Sequence, residues 1–242
     1  MVKKIIVIVF MCSMFLMVGI VSNSNAEMKH KGGMSMDMHH FHTMMNHGLQ
    51  MVTEGYNLIM LAEMSMASTM DAVTMKHGKR MVEEGKALIL RSVTGPEMMN
   101  MMNGEHAKSP AMKYTHELGE NMLMVLNILE AMNMSNMDTP EVMIMHHQHS
   151  IINHALGMAA EGSNLVMLGH MDMADEVDNI SLNHGNMMIS TAKKLVNEVM
   201  NNEAMKKLHG KGVNPEDNSI MMYTHKLAEA SLKIIALLSN MP

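Results

Sequence analysis

The sequence predicts an all-α protein made of two tandem antiparallel helical bundle repeats, each of three to four helices, on three observations. Apolar residues recur at helical spacing through most of the chain. No segment alternates with the period of a strand. The third observation is an internal duplication: His39-His40-Phe41-His42-Thr43-Met44-Met45-Asn46-His47 returns as His146-His147-Gln148-His149-Ser150-Ile151-Ile152-Asn153-His154, with four histidines in register. The match continues from Glu54–Leu61 to Glu161–Leu168 and from His77-Gly78 to His184-Gly185. Tyr114-Thr115-His116 returns as Tyr223-Thr224-His225 after a two-residue slip.

In chain order, residues 1–26 have the form of a signal peptide. Lys3 and Lys4 precede an apolar run to about Val21, and Ser24-Asn25-Ala26 supplies the small residues of a cleavage site. A mature chain beginning at Glu27 in the periplasm, or otherwise exported, is expected. The one cysteine, Cys12, would leave with the signal, so no thiol or disulfide would remain. Residues 27–37 read as a flexible Met-rich arm; Met34 and Met36, with Met38 just after it, are alternate thioethers able to wrap a soft cation, the other reading being an unstructured leader.

Repeat 1 is expected over 38–132. Its first helix starts near Asp37 as N-cap and runs to about Ala62; the second, capped by Ser65, runs from Met66 to about Val93. Gly95-Pro96 breaks the chain before a short Met-dense segment that ends at Gly104. Ser109-Pro110 provides the cap and first-turn proline of a helix to about Met132. Residues 133–139 form a linker. Repeat 2, over 140–242, should hold helices near 140–168, 173–208 and 215–239, capped by Asp172 and introduced by Asn214-Pro215 at the second and third.

Composition narrows the function. A formal charge of −6 gives neither the basic footprint of a nucleic-acid binder nor an attraction to anionic lipid, and it becomes more negative without Lys3 and Lys4. No membrane association is expected after signal cleavage. The anomaly is 40 methionines in a chain with no tryptophan and 2% aromatics. Methionine is first of all a pliable helix former and core filler. Position must separate packing from ligation.

The recurring histidines sit on methionine-bearing stripes. His40, Met44, His47 and Met51 share one stripe of the first helix, and His147, His154 and Met158 its counterpart. His77 and Met81 share a stripe of the second helix, as do His184 and Met188. Met112 precedes His116 by one turn, and Met221 precedes His225. In a symmetric hairpin His47 would face Met81 and Met51 would face His77, while His154 would face Met188 and Met158 would face His184. Two histidines and two methionines would then share one level in each repeat, with Met60 off the stripe. The remaining histidines, His39, His40 and His42 with His146, His147 and His149, point in several directions at the helix starts. They read as an exposed Cu(II), Ni or Zn patch or as plain solvated helix ends.

Thioether sulfur is a soft neutral ligand that favours Cu(I), and imidazole serves both copper valences. Copper is therefore the expected ion, as Cu(I), with Cu(II), Ag(I), Ni and Zn as alternatives. Zinc is poorly matched to methionine. His154, then Leu168-Gly169-His170-Met171-Asp172-Met173-Ala174, then His184-Gly185 resembles the small metal-binding protein family. That resemblance covers the first hairpin of each repeat and implies an exported His-rich helical bundle that takes up several copper or other divalent ions. Here many of the histidines are replaced by methionine, which shifts the expectation to Cu(I).

Catalysis finds no motif. Covalent haem would need Cys-x-x-Cys-His, and a di-iron bundle would need Glu-x-x-His on two facing helices, whereas Glu27-Met28-Lys29-His30 in the arm is the one such match. The function expected is a copper-binding protein that sequesters, buffers or carries Cu(I), and not an enzyme. The alternatives are a Met-rich helical interaction protein, with its partner unspecified, and a bundle holding non-covalent haem.

Overall fold

The computed structural model describes residues 36–65, 69–132, 140–171, 175–210 and 219–241, and all their regular structure is helical. Repeat 1 comprises α1 (Met36–Glu63), α2 (Asp71–Thr94), the short α3 (Pro96–Asn103) and α4 (Pro110–Ala131). Repeat 2 comprises α5 (Pro140–Gly169), α6 (Asp175–Asn201), the short α7 (Glu203–Gly210) and α8 (Ser219–Leu238). Among the described residues no helix is long and apolar enough to cross a membrane.

Several ends follow local chemistry. Ser109 caps α4, its hydroxyl accepting from the Met112 amide at 3.1 Å, and Pro110 fills the first turn, where a missing N–H costs nothing. Pro96 opens α3 in the same way. Three boundaries differ from expectation. Met36 and Asp37, assigned to the arm, already lie in α1. The second helix is described from Asp71, with Met70 at its N-cap position and no side-chain cap bond, so Ser65, whose φ is 52°, does not cap it; residues 66–68 lie outside the described residues. The helix expected over 173–208 is two: α6 stops at Asn201, and the Asn202 side chain accepts the Met205 amide at 2.8 Å to start α7. The segments expected as signal peptide, as arm up to residue 35 with Met34 and as linker over 133–139, together with Asp172 and Asn214-Pro215, lie outside the described residues.

The hairpin of each repeat is set by small residues at seven-residue intervals. A Cβ added at Gly48 would lie 2.7 Å from the Gly85 carbonyl oxygen, and one at Gly55 2.7 Å from that of Gly78. In repeat 2 the same holds for Gly162 against Gly185 and Gly169 against Asp178, each at 2.7 Å. Two of the matching positions, Ala155 and Ala192, carry alanine and are fully buried. Backbones therefore touch along both hairpins, with no room at the contact for larger side chains.

This register corrects the level-matching expected from sequence. With Gly48 facing Gly85, the partner of His47 lies roughly five residues beyond Met81, ~7 Å along the helix. The residues that face each other are glycines and alanines, and the histidine stripes are turned outward.

The two repeats share one core within a single compact unit that spans Gly32–Pro242. Leu49, Leu118, Leu126 and Ile89 from repeat 1 pack into the same buried cluster as Ile152, Leu156, Val196 and Ile234 from repeat 2. Across the junction, Asn46 donates to Asn164 at 2.9 Å and Asn153 donates to Asn57 at 3.0 Å. These four asparagines form two duplicated pairs, so α1 and α5 run antiparallel about a local pseudo-twofold. Tyr114 of α4 adds a second tie, donating to the Leu237 carbonyl of α8 at 3.2 Å.

Candidate metal centre

Most of the predicted stripe faces water. His40, His47, His77, His116, His147, His154 and His184 are exposed, and Met44, Met51, Met81, Met158 and Met188 are half-buried. His116 makes only a surface contact to Glu120 at 3.7 Å. Some convergence survives in repeat 2, where His154, Met158 and Met188 line an open groove of about 780 Å³ with Glu54 and Glu161. His184 does not join them. The rest of the predicted set divides between surface and core: Met36 is exposed, His39 and His225 are half-buried, and Met38, Met112 and Met221 are buried.

The helix-start histidines behave differently from the solvated patch expected. His40 and His147 are exposed, but His42 and His149 are fully buried and His146 is nearly so. The cause is that α1 and α5 begin earlier than their histidine runs, so this turn already packs against α4 and α8.

His42 and His149 occupy equivalent environments. His42 Nε2 lies 2.7 Å from Thr115 Oγ1, and His149 Nε2 lies 2.6 Å from Thr224 Oγ1. Each threonine hydroxyl donates its one proton to the carbonyl a turn earlier, Ala111 at 2.8 Å and Ile220 at 2.9 Å. The hydroxyl oxygen can then only accept, which assigns the imidazole proton to Nε2 in both repeats. Nδ1 is left as a lone pair, buried and without a hydrogen-bond partner among the described residues. Burial, and secondarily the charge on His39, lowers the His42 pKa to about 4; burial and His146 lower that of His149 to about 3. Both rings are neutral at ordinary pH. Tyr114 packs edge-on against His42 at 5.2 Å between ring centroids, and burial pushes its phenol pKa up.

Buried methionines accompany these histidines in both repeats. In repeat 2, Met145, Met205 and Met221 form a buried cluster of their own, with Met145 one turn before His149 and Met221 three residues before Thr224. Their counterparts in repeat 1 are Met38, Met98 and Met112, all buried. Met38 Sδ reaches to 4.0 Å from Thr115 Oγ1. Met98, Met102 and Met112 line a void of about 10 Å³ with Thr115 and His116. That volume is about one water-sized sphere, and a water there would find few polar partners.

Thioether sulfur and an unprotonated imidazole nitrogen are neutral, soft donors. Among the described residues no group of three or more His, Cys, Asp or Glu side chains is placed to hold a metal. Sequence reasoning passed over Met98, Met145 and Met205. A usable signal was present, because Met38/Met145, Met98/Met205 and Thr115/Thr224 recur with the duplication just as the histidines do. No family model matches the chain, and no curated protein or solved structure matches it either.

Proposed function

We propose that the protein is an exported Cu(I)-binding protein, able to take Ag(I) in the same sites, that sequesters, buffers or carries the ion and is not an enzyme. The observation that carries this reading is the duplicated imidazole with a buried, unpartnered Nδ1, in a fold that also buries three duplicated methionines in each repeat. Leaving a buried polar atom unsatisfied costs about 1–3 kcal/mol, and here the cost is incurred twice at equivalent positions. A core that needed only volume would place leucine or phenylalanine there. A soft cation offsets the cost by taking the lone pair, and the thioethers complete its shell without adding charge.

The ligands assigned are Met38, Met98, Met112 and His42 in repeat 1, and Met145, Met205, Met221 and His149 in repeat 2. His116 and His225 stand one turn from Met112 and Met221. The resemblance to the small metal-binding protein family accords with this reading, with methionine taking over from histidine in the buried set.

Competition with a Cu(I) chelator tests the proposal. Wild-type protein is expected to retain two tightly held Cu(I) ions. His42→Leu with Met112→Leu should retain one, and the same change with His149→Leu and Met221→Leu should retain none. Replacing the exposed pair, His77→Ala with Met81→Leu, should leave both. Equal retention by all four proteins would reduce the methionines to packing.

A partner-binding role is the second reading, and one feature favours it. Leu61, Met70 and Val73 are exposed at the first hairpin tip, and their counterparts Leu168, Val177 and Ile180 are exposed at the second.

A further inference from the structure

Beside the methionine cluster of repeat 2 lies a groove that the ligand set above does not use. It has a volume of about 750 Å³ and lies between the C-terminal end of α1 and the first turns of α5, with Met60, Met64, Met143, His146, Gln148 and Asn202 in its lining. His146 and Gln148 are each only 3% exposed. Both ring nitrogens of His146 and both amide heteroatoms of Gln148 lack hydrogen-bond partners among the described residues. Four unsatisfied polar atoms within one helical turn is an arrangement that folding alone disfavours. Three thioethers share the same lining, so the groove repeats, in open form, the donor chemistry of the buried site.

The groove also adjoins that site. His146 follows Met145 in the chain, and its ring lies 6.2 Å from that of His149. Asn202, on the groove wall, caps α7 by accepting the Met205 amide. One wall of the groove is thus the helix start that holds a buried ligand.

Resting on the soft-metal reading, we infer that this groove is the loading port of the repeat 2 site. A Cu(I) or Ag(I) ion is taken first by His146 with the thioethers of Met60, Met64 and Met143, and is then passed to Met145, Met205, Met221 and His149. The transfer is ligand exchange between neutral donors, so no proton or electron moves. In repeat 1 the counterparts of the four port donors are Met36, His39, Met167 and Met171, while Gln148 and Ile144 are matched by Phe41, buried and apolar, and Asp37, a hard donor.

The test uses two full-length proteins with one inner site each, M38L/M98L/M112L and M145L/M205L/M221L, mixed in stopped flow with a Cu(I) chelate under anaerobic conditions. The first keeps the repeat 2 site, and the second, which keeps the repeat 1 site, is the control. Adding His146→Leu and Met143→Leu to the first should slow loading about tenfold while leaving its equilibrium affinity unchanged. Met60→Leu, which conserves volume, should slow it in the same direction and guards against misfolding of the double change. A loading rate of the first protein indifferent to all of these port changes, or the same slowing when they are made in the second, would overturn the port. Failure of both proteins to retain Cu(I) against the chelator would overturn the soft-metal reading and the port with it.

Discussion

At the scale of single residues, the decisive distinction is between histidines that meet water and those that do not. His77 and His184 recur on methionine-bearing stripes as faithfully as His42 and His149, yet only the latter are buried with a threonine that fixes the tautomer. This has a consequence for pH. In the metal-free protein the buried rings stay neutral down to about pH 4 and 3, whereas the same residues in the unfolded chain take protons below about 6.5. Their folded pKa values are depressed, so the unfolded state binds more protons as pH falls, and stability is lost from about 6.5 towards 4. The slope for each residue approaches roughly 1.4 kcal/mol per pH unit. Urea midpoints of the metal-free protein are expected to fall between pH 7 and pH 5, and to fall less in a His42→Leu, His149→Leu protein. Cu(I) held on Nδ1 and thioethers should survive pH 5, because protons compete for the nitrogen only near pH 4. Loss of all bound Cu(I) at pH 5 would count against these ligands.

At the scale of elements, the helices and their order are legible in the sequence, but how they slide past one another is not. Ser109-Pro110 and Gly95-Pro96 mark their boundaries through capping and proline chemistry, which is local. Hairpin register depends on which residues allow backbones to touch, and Gly48, Gly55, Gly78 and Gly85 decide it, not the His and Met stripe. A stripe on the border between apolar and polar faces carries no information about register. Gly78→Ala would press a methyl group to 2.6 Å from the Gly55 carbonyl oxygen, which flexible side-chain motion cannot relieve. A loss of about 1–3 kcal/mol or more is expected by chemical denaturation. Gly104→Ala, where the nearest atom lies 3.4 Å away, should change stability far less.

For the whole molecule, duplication has produced one folding unit. Both repeats contribute to a single buried cluster, and the asparagine hydrogen bonds across α1 and α5 form only when both are present. Thermal or urea unfolding should therefore follow one transition by helix content and by tyrosine fluorescence alike, and neither repeat alone should give a stable fold. Two separated transitions would show independent repeats. The candidate site was partly legible at this scale: doubled His, Met and Thr residues pointed to a repeated site. Which doubled residues meet was hidden, because α3 and α7 bring Met98 and Met205 in from outside the main hairpins. The central claim is that sulfur and one imidazole, both buried, hold the metal in each repeat. Copper K-edge X-ray absorption of the protein loaded with two Cu(I) ions tests it most directly: the expected first shell is dominated by sulfur with a single nitrogen, unchanged by His77→Ala and His184→Ala, whereas a shell of nitrogen and oxygen without sulfur would contradict it.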